Sequence, residues 1–266
     1  MKKLILTLSL IFFLTPLFTV SAEEAGKGGL NYNNDLLMGI LWQQNSGEYA
    51  ALCHQAFNAG KNYLRSLPEK GMRAVVFDLD ETMLDNSKYA AWMVKTGNSW
   101  SPGAWEDWCN SEEADAVPGA LDFAYFAEKN RFEIFYVSNR PSSVLKSTIK
   151  NLQALGFPEA DADHVLLMGK TSDKSPRLEM IRAKGYEIVL LAGDNLDDFD
   201  SSIRKKNNAE RRSFSENNID RFGTYWIVLP NSVYGTFEAA IRGDYYSLDA
   251  EGKSEARLKM ITAWEQ

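Results

Sequence analysis

The stretch Arg73-Ala74-Val75-Val76-Phe77-Asp78-Leu79-Asp80-Glu81-Thr82 constrains this chain more than any other. An apolar run of strand length ends abruptly in two carboxylates spaced i, i+2, with a hydroxyl two residues further on. A buried strand that finishes in acids delivers them to the carboxyl edge of a sheet, where open α/β folds place their ligands. Alternation in an extended backbone points Asp78 and Asp80 to the same side. Two acids forced together need a cation, a shared proton or separate chemical jobs. The plain structural alternative is a strand followed by a polar, helix-capping turn, and the rest of the chain must decide between the two.

The pattern repeats. Residues 132–137 form a second apolar strand that ends in Ser138-Asn139-Arg140. Val165 to Met168 make a short third strand. Residues 187–192 make a fourth, running into Gly193-Asp194-Asn195-Leu196-Asp197-Asp198, and residues 225–229 a fifth. Between them lie helical segments: 120–129, one opened by Pro141-Ser142 and closed by Gly156, and one from Ser175-Pro176 to near Gly185. Strands alternating with helices predict an α/β fold with a doubly wound, mostly parallel, five-stranded Rossmann-like sheet. All carboxyl ends of such a sheet share one edge, so the acids of strands one and four and the polar end of strand two converge there. Residues 34–67 read as helical up to Pro68, and residues 83–118 as a loop-rich functional insertion crowded with Tyr89, Trp92, Trp100, Trp105 and Trp108. With the C-terminal residues, these two stretches form a helical annex to a core spanning about 70–230, in a single domain over 23–266.

Charge and targeting signals exclude several classes. The formal net charge is −7, and the basic clusters Arg204-Lys205-Lys206 and Arg211-Arg212 lie in what reads as a solvated helix and loop. A nucleic-acid polymer is therefore not an expected partner. Lys2 and Lys3, the apolar run Leu4 to Leu17 and the small residues Val20-Ser21-Ala22 describe a cleaved signal over residues 1–22, with Glu23 as the mature first residue. No later stretch reaches about 18 apolar residues, so no transmembrane segment is expected. No cysteine near the cleavage point invites a lipid anchor, which predicts a periplasmic or secreted protein. Cys53 and Cys109 form either a disulfide or two buried free thiols, and a homodimer is left open.

Asp78, Asp80 and Asp194, with no cysteine near them in sequence, suit a hard divalent ion, above all Mg²⁺. His54 and His164 lack the companions of a zinc site and read as satisfied or surface residues. A magnesium carboxylate site beside a cation (Arg140, Lys170 or Lys174) is the apparatus of phosphoryl chemistry. Neither histidine is flanked by Arg and Gly as a phosphohistidine motif requires, and no cysteine has an Arg six residues on. Gly169-Lys170-Thr171 looks like the end of a P-loop, but the earlier glycine is replaced by His164. A carboxylate remains as the nucleophile.

Asp78-Leu79-Asp80-Glu81-Thr82, Ser138, Lys174 and Gly193-Asp194 resemble, in order and spacing over about 120 residues, the four motifs of the haloacid dehalogenase superfamily of phosphatases. The longer segments Val76 to Asn86 and Gly193 to Phe199 are similar to those of the class C acid phosphatases, exported bacterial enzymes related to the outer-membrane lipoprotein 5′-nucleotidases. The resemblance implies that Asp78 attacks phosphorus and Asp80 acts as acid and then base. It also implies that Asp78, Asp80 (through its carbonyl) and Asp194 hold Mg²⁺, with Asp198, or failing it Asp197, orienting a metal-bound water. Ser138 and Lys174, preferred over Lys170, would hold the phosphoryl oxygens. Asn139 and Arg140 would lie on the substrate side, and Trp105, Tyr234 and Phe237 would contact a flat ring, each stack worth about 1–3 kcal/mol. The implied activity is hydrolysis of small phosphate monoesters such as nucleoside monophosphates and NMN. A phosphotransferase of the same superfamily and a binding protein without turnover are the rivals; a receiver domain conflicts with the signal segment.

Overall fold

In the computed structural model, β1 (Arg73–Phe77) is the axis of the molecule. Its alternation splits two cores: Val75 and Phe77 face one, Ala74 and Val76 the other. The structure describes residues 35–264, so the signal segment 1–22 lies outside the described residues. β1 is flanked by β4 (Glu133–Pro141) and β6 (Glu187–Gly193), with β5 (Val165–Met168) and β7 (Trp226–Val228) at the edges. The order is β5-β4-β1-β6-β7, every pairing is parallel, and the predicted five-stranded sheet is the one observed. The chain winds outward from β1 to one edge, then returns to β1's other side. That reversal leaves a crevice above the carboxyl ends of β1 and β6, where doubly wound sheets bind ligands.

One face of the sheet is covered by α2 (Gly47–Ser66) and α5 (Ala120–Lys129). There Phe123 packs 5.2 Å from Phe57 and 5.3 Å from Phe77, ring centre to ring centre. The other face takes α7 (Ser175–Ala183) through Leu178 and Ile181. α6 (Leu145–Leu155) follows β4 and ends on Gly156, whose φ of 88° stops it.

Two expectations change. The helical stretch 34–67 is two helices, α1 (Leu37–Asn45) and α2, because Ser46 is extended and its hydroxyl accepts from the Tyr49 N–H at 3.0 Å, starting a new helix. The insertion at 83–118 is mostly helical. A two-stranded hairpin, β2 (Leu84–Asp85) with β3 (Asp115–Ala116), brackets α3 (Ser87–Thr96) and α4 (Pro102–Ser111). Tyr89, Met93, Ile40 and Val233 form a small core of their own, with Trp105 and Trp108 against it. Cys53 on α2 and Cys109 on α4 are separate, buried free thiols, which resolves the cysteine alternatives. Burial pushes them up to about 11 and about 12, so neither is a ready nucleophile.

His164 is satisfied rather than catalytic. Its Nε2 lies 3.0 Å from Glu133 and its Nδ1 2.8 Å from Asp161, tying the loop before β5 to the start of β4. Burial alone would lower its pKa, but hydrogen bonds to the two carboxylates outweigh burial and raise it. A raised histidine adds stability that is full below its unfolded value, about 6.5, and is lost as pH climbs through the folded value. The stability difference between wild type and His164→Gln, read from urea midpoints, is expected to shrink between about pH 5.5 and pH 8.5. A difference that stays constant over that range would contradict this clamp.

Candidate active site

The chain leaves β1 in a tight, hydrogen-bonded turn. The Leu79 carbonyl accepts from the N–H groups of Thr82, Met83 and Leu84, and the Glu81 N–H returns to Leu84 O at 2.8 Å. Leu79, Met83 and Leu84 are buried beneath it, so the turn has an apolar floor. Asp78 N–H donates to Ala192 O at 2.9 Å, extending the β1–β6 ladder to the first acid. This fixes Asp78 against the end of β6.

Carboxylate oxygens of Asp78, Asp194 and Asp198 all lie within 4.8 Å of one another. Lys174, at the start of α7, places its ammonium between Asp78 and Asp198, 2.7 Å from Asp198 Oδ1. Lys170 is exposed on the loop after β5. Burial, then the charges of Asp198 and Asp80, raise the Asp78 carboxyl against the opposing pull of Lys174. Burial and the neighbouring acids likewise hold Asp194 well above the carboxylate range. One ammonium cannot offset three clustered acids, and an all-oxygen donor set fits a hard divalent cation. Asp78, Asp194 and the turn at Asp80 are the groups that would hold it.

Asp198 reaches this cluster through the turn Leu196–Asp198, a capping box in which Asn195 N–H donates to Asp198 Oδ2 at 3.0 Å. The turn closes onto Gly193: a Cβ there would sit 2.7 Å from Asp198 Cγ, inside van der Waals contact. Asp197 points elsewhere, to Arg211 at 2.7 Å and Thr236 at 3.2 Å. Arg211, expected in a solvated stretch, is buried on α8 (Asn208–Asn217) and also grips Asn195 at 2.8 Å.

Asp80 is held by three donors: Ser138 Oγ at 3.1 Å, Arg140 Nε at 2.8 Å and Asn86 Nδ2 at 3.0 Å. Arg140 is 1% exposed and spends its guanidinium on Asp80, Asn86 and Thr148, so it positions Asp80 from behind instead of meeting substrate. Asn139 is exposed and accepts from Arg177 at 2.7 Å. Trp105 is half-buried, edge-on to Tyr89 at 5.2 Å, while Tyr234 and Phe237 are 40% and 48% exposed.

A family model for the HAD superfamily, subfamily IIIB (acid phosphatase), matches residues 31–237. The chain belongs to this family. It is similar to the class C acid phosphatase from Bacillus anthracis, with 36% identity and a TM-score of 0.83 over 88% of this chain and 99% of that one. A second structure of that protein, with tungstate bound, matches at 35% identity with the same TM-score and coverage. A curated relative, the stem 31 kDa glycoprotein of Glycine max, is 26% identical over 128 residues; the match covers 46% of this chain and half of that protein's length.

Four residues around this candidate site escaped sequence reasoning. Arg177 on α7 donates to Ser138 O at 2.5 Å and to Asn139, holding the end of β4. Asn231 Nδ2 donates to Asp194 Oδ2 at 2.7 Å. Asn86 and Glu81 bond to each other beneath Asp80. Each is a polar residue next to a motif or a strand end, a signal too common to single it out.

Gly193→Ala is expected to displace Asp198 and destabilise the protein by about 1–3 kcal/mol. Gly169→Ala, with no atom within 4 Å of the added Cβ, serves as the matched control. Equal thermal midpoints for the two variants would contradict the closure of the Asp198 turn on Gly193.

Proposed function

We propose that this acid phosphatase is an exported, Mg²⁺-dependent phosphomonoesterase that acts on nucleoside monophosphates and other small phosphate esters through a phosphoaspartate intermediate. The observation that carries the reading is the meeting of Asp78, Asp194, Asp198 and Lys174 at one sheet edge, beside an acid, Asp80, held by separate donors. The family match and the tungstate-bound relative support it, since tungstate is a tetrahedral oxyanion like phosphate. Lys2, Lys3 and the apolar run after them support export.

An Asp78 oxygen attacks phosphorus, the ester P–O bond breaks in line, and Asp80 gives its proton to the departing oxygen. Asp80, now a carboxylate, takes a proton from water, which attacks the phosphorus of the phosphoaspartate and frees inorganic phosphate with Asp78 restored. Lys174 offsets charge on the transferring group, and Ser138, whose hydroxyl faces Asp80, completes its cradle. A divalent cation bound by Asp78 and Asp194 would supply charge neutralisation that lets a phosphate dianion approach the acids. Asp80 thus acts as the acid in one half-reaction and as the base in the other.

Phosphate release from nucleoside monophosphates, NMN, sugar phosphates and phosphotyrosine tests the proposal. Asp78→Asn is expected to lose turnover on all of them, and EDTA to abolish wild-type turnover until Mg²⁺ is returned. Full activity in Asp78→Asn would overturn the mechanism.

A further inference from the structure

Asn86 immediately precedes α3, where an asparagine ordinarily caps the first turn, yet its side chain makes no cap hydrogen bond. It is 2% exposed, and its amide is turned on the site instead. Nδ2 donates to Asp80 Oδ1 at 3.0 Å, to Glu81 Oε2 at 3.2 Å and to Leu84 O at 3.4 Å. Glu81 is brought inward by a left-handed backbone, φ 58°, and held by the Tyr234 hydroxyl. Asn86 Oδ1 accepts from Trp108 Nε1 at 2.8 Å and from Arg140 Nη2 at 3.2 Å. The groups on the Nδ2 side all accept, and an indole N–H and a guanidinium can only donate. A flipped amide would lose every one of these bonds, so its orientation is forced.

That orientation sorts the two oxygens of Asp80. Oδ1 takes Asn86 Nδ2 and Arg140 Nε, neither of which can accept a proton. Oδ2 faces Ser138 Oγ at 3.1 Å, a hydroxyl that can turn. Oδ2 is therefore the oxygen left to carry a transferable proton, and the two donors on Oδ1 hold the carboxyl in place while it does so.

The annex delivers the indole on a braced helix. Trp108 sits on α4 and packs against both the main core and the annex core. The end of α4 and the strand after it are tied to α6: Ser147 Oγ donates to Asn110 Oδ1 at 2.7 Å, and Asn151 Nδ2 to Ala114 O at 3.0 Å. The same helix carries Thr148, whose hydroxyl accepts from Arg140 Nη1 at 3.3 Å. Both donors to Asn86 Oδ1 are thus anchored through α6.

We infer that Trp108 is a positioning residue for acid catalysis: through the Asn86 amide it holds the Asp80 carboxyl with Oδ1 bonded and Oδ2 presented to the departing oxygen. The inference rests on the proposed phosphomonoesterase reading and deepens its first half-reaction. There an Asp78 oxygen bonds to phosphorus, the ester P–O bond breaks, and the Oδ2 proton passes to the leaving oxygen, its electron pair staying on Asp80. Without the indole donor, Asn86 Oδ1 keeps only the longer of its two bonds, and the amide no longer fixes the acid.

An alkoxide needs that proton to leave, whereas a dinitrophenolate does not, and kcat/KM covers the steps up to ester cleavage. The test therefore measures kcat/KM for benzyl phosphate and dinitrophenyl phosphate, both ring-bearing, in wild type, Trp108→Phe, Asn86→Ala, Asp80→Asn and the Trp108→Phe/Asp80→Asn double variant. Trp108→Phe, which keeps a ring and removes the donor, is expected to lower the benzyl-to-dinitrophenyl ratio about tenfold. Asn86→Ala lowers it further, towards the value for Asp80→Asn, and Trp108→Phe adds nothing once Asp80 is Asn. A Trp108→Phe ratio within about twofold of wild type, as an equal fall on both esters would give, or a further loss in the Asp80→Asn background, would overturn the inference. An Asp80→Asn protein that keeps the wild-type ratio would instead overturn the acid role of Asp80. A wild type inactive on both esters would overturn the phosphatase reading.

Discussion

Lys174 sets the charge balance on which the catalytic edge depends. Its ammonium is buried between Asp78 and Asp198, with Asp194 in the same cluster. Desolvating an ion pair is costly, and removing one partner of a buried pair typically costs about 3–5 kcal/mol because the other charge is stranded. Three clustered carboxylates facing one ammonium leave a deficit of positive charge, and a divalent cation would offset it. The fold supports this arrangement from two directions: the parallel pairing of β1 with β6 fixes the strand ends that carry Asp78 and Asp194, and the start of α7 presents Lys174.

The annex gives the edge its second side. Its helices α3 and α4 build a small aromatic core that meets the Asn231–Tyr234 turn at Val233. Trp108 Nε1 donates to Asn86 Oδ1 at 2.8 Å, so the annex also reaches the amide that holds Asp80. The annex and the turn that carries Asp80 are therefore joined through hydrogen bonds. Asn86 joins them, bonded to Asp80, Glu81, Trp108 and Arg140 at once.

Much of this was legible in the sequence where the signal is local. The strands could be read because apolar runs ended in acids, and the sheet's parallel order followed from alternation with helices. The break at Ser46 and the helices within 83–118 were harder. A single serine in an apolar-periodic run looks like surface, and an aromatic-rich helix of ten residues has little periodicity to display. What could not be read is non-local. Arg140 looks like a substrate cation until its partner Asp80, 60 residues away, is seen to claim it in the interior. Asn231 gains its role only from Asp194, and Glu81 only from a backbone conformation and a tyrosine far along the chain.

The central claim is that Asp78 becomes covalently phosphorylated during turnover. Rapid acid quenching of wild type mixed with a good phosphate-ester substrate, followed by peptide mapping by mass, addresses it directly. A phosphoryl adduct on the peptide containing Asp78, formed within the first turnover and absent in Asp78→Asn, is the predicted result. Turnover with no covalent adduct, or with the adduct on another residue, would contradict the account.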